Sequence, residues 1–292
     1  MLPAEQQVGI YMDVFADGFN FPEGPAFDRE GNLFAVNVLG DEVFRISPSG
    51  EKSVFARTGG TTNGLAFHAN GDLYVADWGR RAILCITPDA QVSVFADRYA
   101  GVRLRAPNDL TFDLQGNLYF TDPIRYPFPD HNISPVFKVD PWGDVTLVGS
   151  EFSEPNGIAL SPDGSWLYVS QTRANSIARI AIGRDDSFGA PEELVHLGEN
   201  AWPDGMCIDS EGNIVQALYG QGKLAVVSPQ GAVLELYDTG SPHCTNVCFG
   251  GSDFRTLYAT CPTIDAIVCI RHPDAGLPLF SHAPLTPRRQ GA

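Results

Sequence analysis

A short phrase returns six times along this 292-residue chain, and its second residue changes from copy to copy. The copies are Pro22-Glu23-Gly24-Pro25-Ala26-Phe27, Thr62-Asn63-Gly64-Leu65-Ala66-Phe67, Pro107-Asn108-Asp109-Leu110-Thr111-Phe112, Pro155-Asn156-Gly157-Ile158-Ala159-Leu160, Pro203-Asp204-Gly205-Met206-Cys207-Ile208 and Thr245-Asn246-Val247-Cys248-Phe249. Keyed on Glu23, Asn63, Asn108, Asn156, Asp204 and Asn246, the spacings are 40, 45, 48, 48 and 42 residues. A repeat of that length, rich in strand formers, marks a β-propeller.

Each copy leads into a turn such as Asp28-Arg29-Glu30-Gly31-Asn32 or Asp209-Ser210-Glu211-Gly212-Asn213, whose Gly and Asn suit a tight hairpin. A wholly apolar or alternating run follows, for example Leu33-Phe34-Ala35-Val36 and Leu73-Tyr74-Val75-Ala76, as expected for strands buried on both faces. Two more strands per repeat then predict an all-β, six-bladed β-propeller with four antiparallel strands per blade. The early run Tyr11–Ala16 resembles a fourth strand and is expected to close the ring from within the last blade. We expect one domain over residues 1–292, with its core at 11–271 and a loose tail at 272–292. The longest departure from strand pattern is Pro123 to Pro135, read as either a plain connection or an aromatic lid.

Every keyed side chain offers an oxygen. Ca²⁺ takes six to eight such ligands, and Glu23 and Asp204 would together neutralise a divalent ion. Asn and Asp also serve strand-entry turns, but six in register, with Glu once in the same place, favour a ring of ligands around the axis. The absence of His from these positions argues against zinc or copper.

The formal net charge of −16 and the scattered Lys and Arg residues argue against nucleic acid or an anionic membrane as partner. The six cysteines fall mostly on apolar strand positions and are expected to be reduced. His243-Cys244-Thr245-Asn246-Val247-Cys248 lacks the CxxC pair of a zinc site. The opening residues show no basic stretch followed by a long apolar core, so the expected location is cytoplasmic.

Taken in combination, Phe21-Pro22-Glu23-Gly24-Pro25, Ala106-Pro107-Asn108-Asp109-Leu110, Tyr119-Phe120-Thr121-Asp122-Pro123, Pro155 to Asp163, Pro203-Asp204-Gly205 and Thr245-Asn246-Val247-Cys248-Phe249-Gly250-Gly251 resemble the SMP-30/gluconolactonase/regucalcin family over nearly the whole chain. The resemblance implies a propeller with one divalent cation at its axis, and a lactonase; the related diisopropylfluorophosphatase uses the same scaffold. It implies Glu23, Asn108, Asn156 and Asp204 as metal residues, with Ca²⁺ first and Zn²⁺, Mn²⁺ or Mg²⁺ as alternatives. Asp204 would be base or nucleophile. Arg105, Asn108, Asp122, Tyr126 and Trp202 are the candidate substrate contacts. Where sugar-lactone hydrolases of the regucalcin branch carry an Arg, this chain has Ala106.

The expected reaction is metal-assisted opening of a small lactone by a monomer or small homo-oligomer. Its rivals are a phosphotriesterase on the same ring and a non-catalytic binding propeller. His243 near the rim is a weaker candidate for proton transfer, and His68 falls in a turn.

Overall fold

A computed structural model describes residues 12–124 and 133–277. Six four-stranded antiparallel sheets follow one another along the chain, with strand order equal to sequence order in the first five. Their innermost strands are Pro22–Phe27, Thr62–Phe67, Leu110–Phe112, Pro155–Leu160, Pro203–Ile208 and Asn246–Gly250. The sixth sheet takes its outer strand from the other end of the chain: Asp13–Ala16 pairs with Ala266–Arg271, Asp13 opposite Cys269. The predicted closure is therefore observed. The lid segment lies mostly outside the described residues.

The second strand of each blade explains the packing. In Leu33–Asn37 every residue is buried, and successive side chains face opposite ways. Leu33 and Ala35 join the apolar cluster shared with blade 6, while Phe34 and Val36 join the cluster shared with blade 2. The same division recurs around the ring, giving six core clusters, one in each wedge between neighbouring blades. Fourth strands such as Val233–Asp238 are mostly exposed. The hairpin turns are clamped as their composition suggests. Asp28, Asp113 and Asp209 each accept the backbone N–H and side-chain amide of the Asn four residues on, at 2.7 to 2.9 Å.

At the axis the inner strands touch, and glycine sets how closely. A Cβ on Gly24 would lie 2.3 Å from the Asn63 carbonyl oxygen, one on Gly64 2.7 Å from Cα of Asp109, and one on Gly157 2.2 Å from the Asp204 carbonyl oxygen. Each is the residue after a keyed position, facing the same position of the next blade.

This contact pattern corrects the register of the sixth copy. Gly64 N–H donates to the Asn108 carbonyl at 2.8 Å, and Gly205 N–H donates to the Thr245 carbonyl at 2.7 Å. Leu110 pairs with Phe120 and Phe112 with Leu118, just as Val247 pairs with Ala259 and Phe249 with Leu257. Thr245 is thus the counterpart of Asn108, and Asn246 the counterpart of Asp109. The Thr-Asn wording shared with Thr62-Asn63 suggested a frame one residue later, but pairing overrides it.

The tail also differs from expectation in its first part. His272 is buried, Gly276 bridges to Asp209, and Leu277 N–H donates to the Ile208 carbonyl at 3.1 Å. Residues 272–277 are docked under blades 5 and 6 rather than loose.

The glycine contacts give a direct test. Gly157→Ala forces a methyl group against rigid backbone, so it should cost about 1–3 kcal/mol and lower the melting temperature by several degrees. Calorimetry checks this; an unchanged melting temperature would show that the inner strands can part without cost.

Candidate active site at the axial mouth

Glu23, Asn63, Asn108, Asn156 and Thr245 are buried at the starts of the inner strands, and Asp204 is half-buried at the same position. One Glu23 carboxylate oxygen accepts the Gly24 N–H at 2.8 Å. Cys244 occupies the place that proline holds in four of the other copies. Burial pushes its thiol well up, and a hydrogen bond with Cys261 and the charges of Asp204 and Glu23 add to the effect. Both keyed carboxylates, at the starts of the inner strands of the two flanking blades, lie near enough to bear on this thiol.

Three of these positions share an unusual approach. Phe21, Glu154 and Trp202, each two residues before Glu23, Asn156 and Asp204, have φ of 61°, 54° and 44°. Left-handed backbone at a non-glycine residue costs about 1 kcal/mol or more. Here it is held by a recurring bond: their carbonyls accept N–H groups from Val38, Thr172 and Tyr219 at 3.0, 3.2 and 3.1 Å. Proline then fixes the next φ. Backbone strain is thus concentrated just before Glu23, Asn156 and Asp204.

A second device fixes the incoming chain. The residue ending the second strand accepts its N–H groups: Asn37 from Asn20 at 2.8 Å, Asp77 from Thr61 at 2.9 Å, Gln171 from Ser153 at 2.9 Å. In blade 3 this residue is Asp122, buried, accepting Arg105 N–H at 2.9 Å and Ala106 N–H at 2.7 Å. Its carboxylate is committed to the backbone leading to Asn108. Burial pushes its pKa up to about 6 against the downward pull of those N–H groups and of Arg105 and Arg81. Arg105 itself is exposed. Tyr126 lies outside the described residues.

Beneath the keyed ring, the glycine positions of blades 3 and 6 hold Asp109 and Asn246. These blades are opposite one another, and Asn246 Nδ2 donates to Asp109 Oδ2 across the axis at 3.4 Å. Burial pushes the Asp109 carboxyl up to about 7. Below the pair the channel widens into a funnel of about 1040 Å³ on the opposite face, walled by Phe27, Phe67, Phe112 and Phe249 among others. The keyed side chains therefore serve the other mouth.

Beside Asp204 stands an aromatic wall that pattern reading found only in part. Trp202, 41% exposed, lies 6.3 Å from Tyr219 with nearly parallel rings, and Tyr219 stacks on His243 at 4.4 Å and 7°. The charge of Asp204, after burial, helps raise the Tyr219 pKa, so the two are close. His243 Nδ1 is 2.9 Å from the Tyr219 carbonyl oxygen. A carbonyl only accepts, so Nδ1 carries a proton, and in the neutral ring Nε2 is left as an acceptor. His68 lies in its expected turn, bonded to Asn70 at 2.7 Å.

The fold and site define a six-bladed propeller with a ring of oxygen donors, two of them carboxylates, at one axial mouth. The family profile described as SMP-30/Gluconolactonase/LRE-like region matches residues 21–263, and the chain belongs to this family. It is 32% identical over 283 residues to a gluconolactonase of Zymomonas mobilis, spanning 85% of this chain and 78% of that one. It is also 32% identical over 231 residues to the lactonase drp35 of Staphylococcus aureus, spanning 72% and 67%. Among solved structures, a gluconolactonase from Xanthomonas campestris superposes with a TM-score of 0.79 at 29% identity, covering 89% of each chain. A calcium-binding regucalcin from Agrobacterium tumefaciens gives 0.80 at 22% identity over 92% and 97%, a likeness of fold. No helix among the described residues is long and apolar enough to cross a membrane.

The Asp122 clamp generates a pH prediction. Its folded pKa of about 6 lies above the ordinary unfolded value near 3.9. Its favourable contribution is complete below about pH 4 and is lost as pH rises through 6, a change of up to about 3 kcal/mol. Asp122→Asn should remove that slope. Urea unfolding at pH 4.5 and 7.5 measures it; equal slopes in both proteins would mean that Asp122 does not titrate in this window.

Proposed function

We propose that this protein hydrolyses a small lactone at the axial mouth, with a divalent cation, Ca²⁺ first, held by Glu23, Asn108, Asn156 and Asp204. The observation that carries the reading is the pair of carboxylates, Glu23 and Asp204, at matched strand starts of a chain whose relatives at 32% identity are named gluconolactonase and lactonase. On the same ground it is an enzyme of the carboxylic ester hydrolase class.

The donor set suits a hard cation: two carboxylates and neutral amides, with no nitrogen or sulfur ligand at the keyed positions. When bound, such an ion supplies Lewis acidity toward a carbonyl oxygen. The remaining work falls to side chains. Asp204 is half-buried, so its carboxylate can receive a proton from an attacking water. Asn108 and the exposed Arg105 are available to polar groups of the substrate. The flat faces of Trp202 and Tyr219 can hold a ring against the mouth. His243 Nε2 offers an acceptor at the rim. Strain before Glu23, Asn156 and Asp204, and the clamp before Asn108, hold these groups in place before substrate arrives, which lowers the cost of orienting them during reaction.

Two substitutions separate proton transfer from ion binding. Asp204→Asn keeps the shape and a ligand oxygen but removes the base. Asn156→Ala removes a neutral ligand and leaves the base. Lactone hydrolysis measured against metal concentration should fall at least ~100-fold for Asp204→Asn even at saturation. Asn156→Ala should recover in part with excess metal. Full recovery of Asp204→Asn at high metal would reduce Asp204 to a ligand.

The substrate wall is tested separately. Trp202→Ala should raise KM several-fold while kcat changes little, because a stacking surface binds ground and transition states alike. A loss confined to kcat would contradict this role.

A further inference from the structure

On the face opposite the keyed ring, the docked segment after the last strand brings three ligand-type side chains together. Atoms of Asp209, His272 and Asp274 all lie within 4.8 Å of one another. Asp209 and His272 are buried, with His272 4% exposed. Tyr237 Oη donates to Glu235 Oε2 at 2.8 Å and lies 2.9 Å from His272 Nδ1. With its single proton given to the carboxylate, the tyrosine oxygen can only accept from the imidazole, so Nδ1 carries hydrogen. In the neutral ring Nε2 is then a bare lone pair, and it makes no hydrogen bond of ordinary length. It faces Asp209 Oδ2 at 3.5 Å.

Two acceptors held face to face repel unless something positive lies between them. The separation is long for an N–H···O bond to a carboxylate, which runs about 2.7–2.9 Å. It is close to the spacing of two ligands on a tetrahedral ion with bonds of about 2.0–2.2 Å, roughly 3.3–3.6 Å. The supports are those of a metal centre. A ligating imidazole donates its other N–H to an oxygen, as His272 does to Tyr237. Asp209 is fixed by N–H groups of Glu211 and Asn213 at 2.9 and 2.8 Å, and by the Asn213 amide at 2.8 Å. The other side is held by Ser210 N–H to the Ala275 carbonyl at 2.7 Å and by Gly276 N–H to the Phe254 carbonyl at 2.7 Å.

We infer that Asp209, His272 and Asp274 form a second, structural divalent-metal site of zinc type, which staples the segment after the last strand to the underside of blade 5. One imidazole nitrogen and two carboxylates make the donor set, with water completing the shell. Five residues of strand separate Asp209 from Asp204, roughly 16 Å at about 3.3 Å each, so this centre is distinct from the axial mouth.

The test uses the full chain in excess Ca²⁺, so that any hard-cation site stays filled, with Zn²⁺ as the probe. Calorimetric titration should give one zinc equivalent, and the melting temperature should rise by on the order of 5 °C at a hundredfold excess over Kd. His272→Gln and Asp274→Asn should each weaken binding at least ~10-fold and abolish the rise, while lactone hydrolysis in Ca²⁺ is unchanged. Asp274 is half-buried, so its variant carries the test if His272→Gln fails to fold. Zinc binding equal in wild type and variants overturns the proposal. So does a wild-type melting temperature indifferent to zinc, which would mean that a proton on Nε2 fills the gap.

Discussion

The structure depends on how closely six strand starts can approach one axis. Side chains at the residue after each keyed position would hold the blades apart, and four copies place glycine there. Because backbone then meets backbone, the strands diverge outward at a fixed pitch, and each wedge between blades must be filled with apolar side chains. The alternating occupancy of Leu33 to Val36 follows from that geometry, each residue serving one wedge or the other. Where glycine is absent, Asp109 and Asn246 occupy the space left by the four glycines and meet across the axis. The polar centre and the apolar wedges are two results of one steric condition.

The site inherits rigidity from the same arrangement. Left-handed backbone at Phe21, Glu154 and Trp202 would relax in an isolated hairpin. It persists because each carbonyl is captured by the neighbouring strand end and each N–H or following proline is fixed as well. Hydroxyl groups add cross-links between blades: Thr121 Oγ1 donates to the Asn156 carbonyl at 2.8 Å, Thr172 Oγ1 to the Pro203 carbonyl at 2.8 Å, and Thr245 Oγ1 to the Pro22 carbonyl at 3.1 Å. The carbonyls they hold belong to residues within or just before the keyed positions. Any ligand at the mouth therefore meets groups already in place.

Blade number, strand order, closure and the keyed register of five copies were legible because a repeat averages out local noise: each copy confirms the frame of the others. The sixth copy misled because its Thr245-Asn246 pair matches Thr62-Asn63 in wording, and only the ladder opposite Leu257 and Ala259 reveals the frame. The stacked wall was half visible. Trp202 adjoins a keyed phrase, but Tyr219 and His243 come from a strand end and a loop with no periodic signal. Asp122 looked available for substrate because FTDP wording says nothing of which backbone its carboxylate faces. The docked tail was unreadable for the same reason. His272 and Asp274 acquire meaning only beside Asp209, which enters the chain some sixty residues earlier.

The first described strand, Asp13–Ala16, has its hydrogen-bond partner at Ala266–Arg271, near the far end of the chain. During synthesis it must wait, unpaired, until the last blade has left the ribosome. Until then five sheets can form by short hairpins, but the ring stays open and the wedge between blades 6 and 1 is missing. The closing contact is among the most distant the chain can make, so its entropic cost falls late and on one step. That step makes the propeller cooperative: loss of either of the two paired strands unpairs the other and re-exposes Phe27, Leu33 and Tyr258 together. A protease cutting at Asp13–Ala16 would thereby act on the seam of the whole ring.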